Sequence, residues 1–145
     1  MRVYLDNCMF NRPFDNQSNL RVSLETQEKL HIQSLVYQGQ LELIWSYILD
    51  FENSFNPYME RKLAISKWQK LSVIDIEESQ ELLAHAHFFQ SLGIKSKDTL
   101  HVSCAVMGGA DCFLTTDDKF LKKLAMQDKI KSCNPLYFLG FLDEN

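Results

Sequence analysis

Asp98-Thr99-Leu100-His101-Val102-Ser103-Cys104-Ala105, and after it Asp111-Cys112-Phe113-Leu114-Thr115-Thr116-Asp117-Asp118, is the stretch on which the fold turns. Its first part has the small and apolar residues of a helix covered on every side. Ser96 is placed to cap that helix, and Asp98 then falls in the first turn, where the helix dipole favours an anion. Its second part, Cys112 to Thr116, is an apolar run of strand length that stops abruptly at two acids. A buried helix and a buried strand that both terminate in carboxylates imply a shared purpose for those carboxylates.

The same alternation extends in both directions. Arg2 to Leu5 reads as a strand stopped by Asp6-Asn7, and Asn11 to Asn16 as a loop by its turn chemistry. Leu20 to about Gln38 reads as a helix closed by Gly39, with Leu20, Leu24, Ile32, Leu35 and Val36 inward. Leu41 to Trp45 is the second strand, and Ser46 caps a helix running through Phe55. Pro57 opens a helix over Tyr58 to Lys70. Ser72 to Ile76 is the third strand, and Glu77 to Leu92 a helix ended by Gly93. After the Cys112 strand come a short basic helix, Asp118 to Met126, a fifth strand at Lys131 to Cys133, and an apolar last turn. Strands alternating with helices predict a three-layer α/β/α sandwich around a central, mainly parallel sheet. Ligands of such sheets gather at the carboxyl ends of the strands.

The 145 residues suit one domain with a substantial core. The net charge of −4 argues against nucleic-acid binding by bulk charge, though not against a local basic patch. Cys8, Cys104, Cys112 and Cys133 form no CxxC pair and sit in apolar segments, as buried thiols of a reducing compartment do. Arg2 and Asp6 at the start leave no signal peptide to expect. The longest apolar run, Leu136 to Leu142, is far too short to span a membrane. A cytoplasmic protein without membrane association is the expectation.

Taken singly, the acids have ordinary readings. Asp6 suits a turn or cap, Asp98 a first-turn charge, and Asp117 a cap for the helix after it. Glu52 is more telling. Ile48, Leu49, Phe51 and Phe55 mark the inward stripe of its helix, and Glu52 lies within that stripe while Asp50 points away. A carboxylate on an apolar face is costly unless it pairs with a lysine or arginine or binds a cation. Together the acids suggest hard oxygen ligands for Mg²⁺ or Mn²⁺, which would relieve their repulsion. Phosphodiester hydrolysis is the chemistry that most needs such a site, because metal ions generate the nucleophile and stabilise the leaving oxygen.

Val3-Tyr4-Leu5-Asp6-Asn7, Ser46 with Glu52 six residues on, Lys97-Asp98-Thr99-Leu100-His101-Val102, and Leu114-Thr115-Thr116-Asp117-Asp118-Lys119-Phe120 resemble PIN-domain proteins in content, order and spacing. That family includes the VapC-type toxins of bacterial toxin–antitoxin pairs. Asn7 to Asp15 is similar to the start of one bacterial branch. The resemblance covers nearly the whole chain, as a single PIN-like domain over residues 1–145. It implies a Mg²⁺- or Mn²⁺-dependent endoribonuclease with Asp6, Glu52, Asp98 and Asp117 as the catalytic, metal-binding quartet. Asp117 is preferred to Asp118 because the family pattern is Thr-x-Asp with an aromatic or apolar residue three later, which Phe120 supplies. Asp118 is then a helix-start or outer-shell charge, and Thr116 a holder of water or phosphate. The chain departs from many relatives at Asn7, where they carry Thr or Ser; an amide can replace the hydroxyl as a donor. An antitoxin partner is implied as well.

Arg12 and Lys97 flank the acids in sequence and are candidates for RNA phosphates, as are Lys95, Lys119, Lys122, Lys123 and the helix carrying Arg61, Lys62, Lys67 and Lys70. His101, one turn after Asp98, could contact substrate or hold an acid in place, but its setting among Leu100, Val102 and Cys104 favours packing in the helix bundle. His85 and His87 face different directions, and His31 is a surface or half-buried residue. Phe88, Phe89, Tyr137, Phe138 and Phe141 are core or interface; any solvent-facing share suits a homodimer or a bound partner helix. Two other readings use clustered acids. One is a non-catalytic RNA- or protein-binding module. The other is a phosphoryl-acceptor domain, which lacks its expected lysine-bearing late strand.

Overall fold

The structure is a computed structural model and describes residues 1–143. The side chain of Phe141 lies outside the described residues. Five parallel strands, β1 (Arg2–Leu5), β2 (Glu42–Ser46), β3 (Ile74–Ile76), β4 (Cys112–Leu114) and β5 (Ser132–Cys133), form one sheet in the order β3-β2-β1-β4-β5. The chain steps outward from β1 to β3, then returns to the other side of β1. Right-handed crossovers therefore deliver helices to both faces, the α/β/α arrangement expected. Val3, Tyr4, Leu43, Ile44, Trp45, Cys112 and Phe113 are fully buried, as strands covered on both sides require.

The helices are α1 (Asn7–Asn11), α2 (Leu20–Tyr37), α3 (Tyr47–Ser54), α4 (Met59–Ser66), α5 (Gln80–Ser91), α6 (Ser96–Met107), α7 (Asp118–Leu124) and α8 (Phe138–Asp143). Helices α5 and α6 pack side by side, and α6 lies against β2 and β4. The tight turn between α5 and α6 passes through Gly93 at φ +84°, a conformation that costs a glycine nothing. At the other end of α6, a Cβ on Gly108 would sit 2.9 Å from the Ile44 side chain. The helix can approach β2 this closely only because that position lacks a side chain.

Several local expectations need correction. The loop expected at Asn11 to Asn16 is in its first half helical: α1 runs into a 3₁₀ turn at Arg12–Phe14. Lys95, not Ser96, is the cap of α6; Ser96 is the first helical residue. The glutamate-rich start of α5 is extended until Ser79, whose hydroxyl caps the helix by accepting from Leu82 N at 3.1 Å. Helix α4 shortens to Ser66 and continues as a 3₁₀ turn over Lys67–Leu71. The inward face of α2 is displaced from the apolar stripe. Ile32 and Val36 are buried, but Leu20 is 74% and Leu24 41% exposed, while Glu25, Thr26, Lys29 and Gln33 point inward. On α3, Ile48 and Leu49 are buried but Phe51 and Phe55 are exposed and stack edge-on at 5.0 Å.

Candidate active site

The sheet order reverses between β1 and β4, and both strands end there in acids. Asp6 follows β1 and caps α1, accepting from Asn7 N at 2.8 Å through Oδ1. Its backbone amide closes onto Leu114 O at 2.9 Å, which ties it to β4. Thr115 donates its hydroxyl to Asp6 Oδ2 at 2.8 Å and accepts from Asp117 N at 3.2 Å. One side chain thus fixes both strand-end acids. Asp117 caps α7 with Oδ1, which accepts from Lys119 N at 3.0 Å and Phe120 N at 3.2 Å, and it is exposed.

Glu52 and Asp98 approach from the helices. Glu52 is half-buried on α3 and accepts from His101 Nε2 at 2.5 Å. The same imidazole nitrogen is 3.8 Å from Asp6 Oδ1, so it faces two acids at once. Its Nδ1 shares a 2.7 Å hydrogen bond with the buried Tyr4 hydroxyl, which lies 2.6 Å from Ser46 Oγ. Ser46 in turn accepts from Leu49 N at 3.3 Å, at the start of the helix that carries Glu52. Asp98, in the first turn of α6, lines a small cavity of about 50 Å³ with Asp117.

The electrostatics record this convergence. Burial, then the charges of Asp6, Asp117 and Glu52, push the Asp98 carboxyl up to about 6, with His101 opposing. Burial would raise Glu52 too, but the hydrogen bond and charge of His101, with Lys97 and Asn7, hold it below the usual carboxylate range. Burial alone would lower His101; its hydrogen bond to Glu52 and the charges of Asp6, Glu52 and Asp98 outweigh it and raise the imidazole. The four acids thus share one field. Among the described residues, however, no group of three or more His, Cys, Asp or Glu side chains stands close enough to hold a metal ion.

No family model matches the chain, and no curated protein matches it. Solved structures do. A chain of VapBC2 from Rickettsia felis, bound to a DNA fragment from its promoter, superposes with a TM-score of 0.58 at 15% identity, over 92% of this chain and 98% of its own. VapBC-1 from nontypeable Haemophilus influenzae gives 0.60 at 14% identity, over 93% and 98%. DNA-bound VapBC from Salmonella typhimurium gives 0.57 at 13%, over 93% and 98%. The fold is that of a PIN domain.

Within this PIN fold the remaining candidates are spread unevenly. Asn7 sits beside Asp6 and its amide reaches Glu52. Lys97 is exposed, with Nζ 5.9 Å from the Phe51 ring centroid. Thr116 is buried; its amide donates to Cys8 Sγ at 3.5 Å and its carbonyl accepts from Arg21. Asp118 holds Arg21 through two 2.7 Å hydrogen bonds, so it serves the surface of α2. Arg12 is turned away from the acids: Nε and Nη2 donate to buried Glu25 at 3.0 and 2.8 Å, and Nη1 to Asp15 at 3.1 Å. Its guanidinium is committed to the fold.

The supporting residues His101, Tyr4, Ser46 and Thr115 matter as much as the acids. His101 packs fully buried in the core, as expected, and from there its ring also holds Glu52. Tyr4 lies on β1, two residues before Asp6, which follows the end of the strand. Thr115 was not separable from Thr116 in sequence, because β4 ends at Leu114 and the alternation lapses there. No described helix is long and apolar enough to cross a membrane.

Proposed function

We propose that this chain is a metal-dependent endoribonuclease, with Asp6, Asp98, Asp117 and Glu52 as its acidic site. What supports the reading is that Asp98 feels the charges of Asp6, Asp117 and Glu52 near the sheet's reversal point, with no lysine or arginine ion pair to any of the four among the described residues. Their oxygens are the donors that Mg²⁺ or Mn²⁺ prefers, and the mutual repulsion felt at Asp98 is what a dication would relieve. Asp6, Asp98 and Asp117 would hold the ion, with Glu52 beside them; when bound, such an ion lowers the pKa of a water and offsets charge on the phosphoryl group.

The protein's own part is positioning. Thr115 fixes Asp6 and the backbone entering Asp117. His101, braced by Tyr4 and Ser46, keeps Glu52 turned inward and ionised. Lys97 stands where a substrate phosphate arrives. Hydrolysis on this plan leaves a 5′-phosphate and a 3′-hydroxyl. The VapBC likeness supports an antitoxin as the regulatory partner; of Phe88, Phe89, Tyr137 and Phe138, Tyr137 is the exposed one, open to that partner or to a second copy. The test is cleavage of single-stranded RNA with Mg²⁺ or Mn²⁺ by the wild type and by Asp6→Asn, Asp98→Asn and Asp117→Asn. Loss in all three is expected; undiminished, EDTA-insensitive cleavage by all three rejects the mechanism. Metal binding by calorimetry without any cleavage would leave a non-catalytic module.

A further inference from the structure

Beside the acids lies a second cavity of about 180 Å³, whose wall includes Glu52. It is smaller than the ~300–1,000 Å³ of sites for drug-sized ligands, and of the scale of one flat ring system. Four asparagines, Asn7, Asn11, Asn53 and Asn56, line it together with Tyr58 and Arg61. Amides are the side chains that read the hydrogen-bonding edge of a base, because each offers a donor and an acceptor side by side. Three are partly occupied: Asn11 Nδ2 donates to Asn7 O and Oδ1, Asn7 reaches Glu52, and Asn56 Oδ1 accepts from Tyr58 N at 3.1 Å. Asn53 is anchored to the fold. It is 6% exposed and its Nδ2 donates to Lys62 O at 2.9 Å, yet its Oδ1 is buried with no partner.

The rim completes the case. The Arg61 guanidinium lies 4.2 Å from the Tyr58 ring centroid and 5.2 Å from that of Phe14, held by a 3.2 Å hydrogen bond from Nη2 to Phe14 O. Tyr58 is 56% exposed, so one face of this stack is free. Aromatic rings and arginine planes are the surfaces on which unpaired RNA bases stack. A protein helix docking here would meet amides and a carboxylate where its apolar anchors need an apolar groove. We propose that this cavity is a subsite for a single unpaired nucleobase, flanking the phosphodiester that the acids address and selecting the RNA by that base. The inference rests on the ribonuclease reading for its choice of ligand class.

The test separates the two. Binding of fluorescein-labelled six-nucleotide single-stranded RNAs, intact or carrying abasic sites, is measured by anisotropy with Ca²⁺ in place of Mg²⁺, for the full chain and for Tyr58→Ala and Arg61→Ala. The wild type should bind intact RNA roughly tenfold more tightly than abasic RNA, and each variant should lose that difference. Wild-type behaviour of both variants, as a surface serving a protein partner would give, overturns the subsite, as does a wild type that does not distinguish abasic RNA. Base-dependent binding without cleavage in Mg²⁺ or Mn²⁺ supports the subsite and sinks the nuclease. Cleavage with no base dependence does the reverse.

Discussion

Glu25 on one hand, and Asp6, Glu52, Asp98 and Asp117 on the other, are treated in opposite ways. Glu25 on α2 is fully buried and fully answered: Arg12 donates to it twice, Arg21 Nε donates at 3.3 Å, and Asn134 Nδ2 donates at 2.6 Å. At the reversal point, His101 stands near Glu52 and Asp6 and feels the charge of Asp98, and among the described residues no arginine pairs with these acids or with Asp117. A fold that can assemble two guanidiniums around one carboxylate has the means to neutralise the others. That it leaves these four without an arginine or lysine ion pair among the described residues is what the proposed cation site rests on. The contrast also explains Arg12. Its position after Asp6 in sequence suggests a substrate contact, but the charge that needed it was Glu25, thirteen residues on.

The comparison is broken most directly at Glu25. Glu25→Ala leaves Arg12 partly buried without its main partner, a loss of about 3–5 kcal/mol for a buried pair. At roughly 2–4 °C per kcal/mol for a chain of this size, the melting temperature should fall by about 10 °C. A fall under two degrees would show the ring to be ornamental. Asp6→Asn is the counterpart. Cleavage should drop at least about a hundredfold, as loss of a ligand's support alone often costs, while the melting temperature holds or rises. A variant that melted early would place Asp6 with Glu25, as a structural acid.

Lys29 sharpens the comparison from the opposite sign. It lies one turn beyond Glu25, 3% exposed, with its Nζ over the rings of Phe10 at 5.4 Å and Trp68 at 6.0 Å. Burial lowers its amine to about 7. The unfolded chain holds that proton up to about 10.4. Between those values the unfolded state binds more protons, so stability rises with pH from about 7 towards 10 and the full penalty applies below 7. Lys29→Met should remove that slope and stabilise the protein by a few kcal/mol at pH 6. Urea denaturation at pH 6, 8 and 10 measures it; an unchanged slope would mean the ammonium is solvated.

These charges mark the limit of what the sequence discloses. The alternation of strands and helices was legible because period and punctuation are local; Asp6, Asp98 and Asp117 stood out because each borders an element, and Glu52 because it falls among apolar residues. The inward faces of α2 and α3 were not. An apolar count puts Leu20 and Leu24 inside, whereas the ionic ring around Glu25 turns α2 so that its polar stripe faces in. Nothing in the spacing of Arg12, Arg21, Glu25 and Asn134 announces that they meet. The same holds for His101: its reach to Glu52 depends on how closely α6 approaches β2, which the bare Gly108 permits.

The smallest expected effect is the finest probe of the difference between the two sets. Asp98 is partly exposed and has like charges for neighbours, whereas Glu25 has opposite ones. Asp98→Asn keeps the shape and removes one of four negative charges. In EDTA the variant should therefore be more stable than the wild type, by about 1 kcal/mol once solvent screening is discounted, or a rise of about 2–4 °C. Mg²⁺ or Mn²⁺ should reverse the order, because a dication stabilises only the protein that binds it, by an amount that grows with its concentration. The crossing is the decisive feature. An asparagine that stabilises equally with and without the ion would mean that Asp98 repels its neighbours to no purpose. An asparagine that destabilises in EDTA would mean that the carboxylate has a partner within the fold, and the acids at the reversal point would then be a second Glu25.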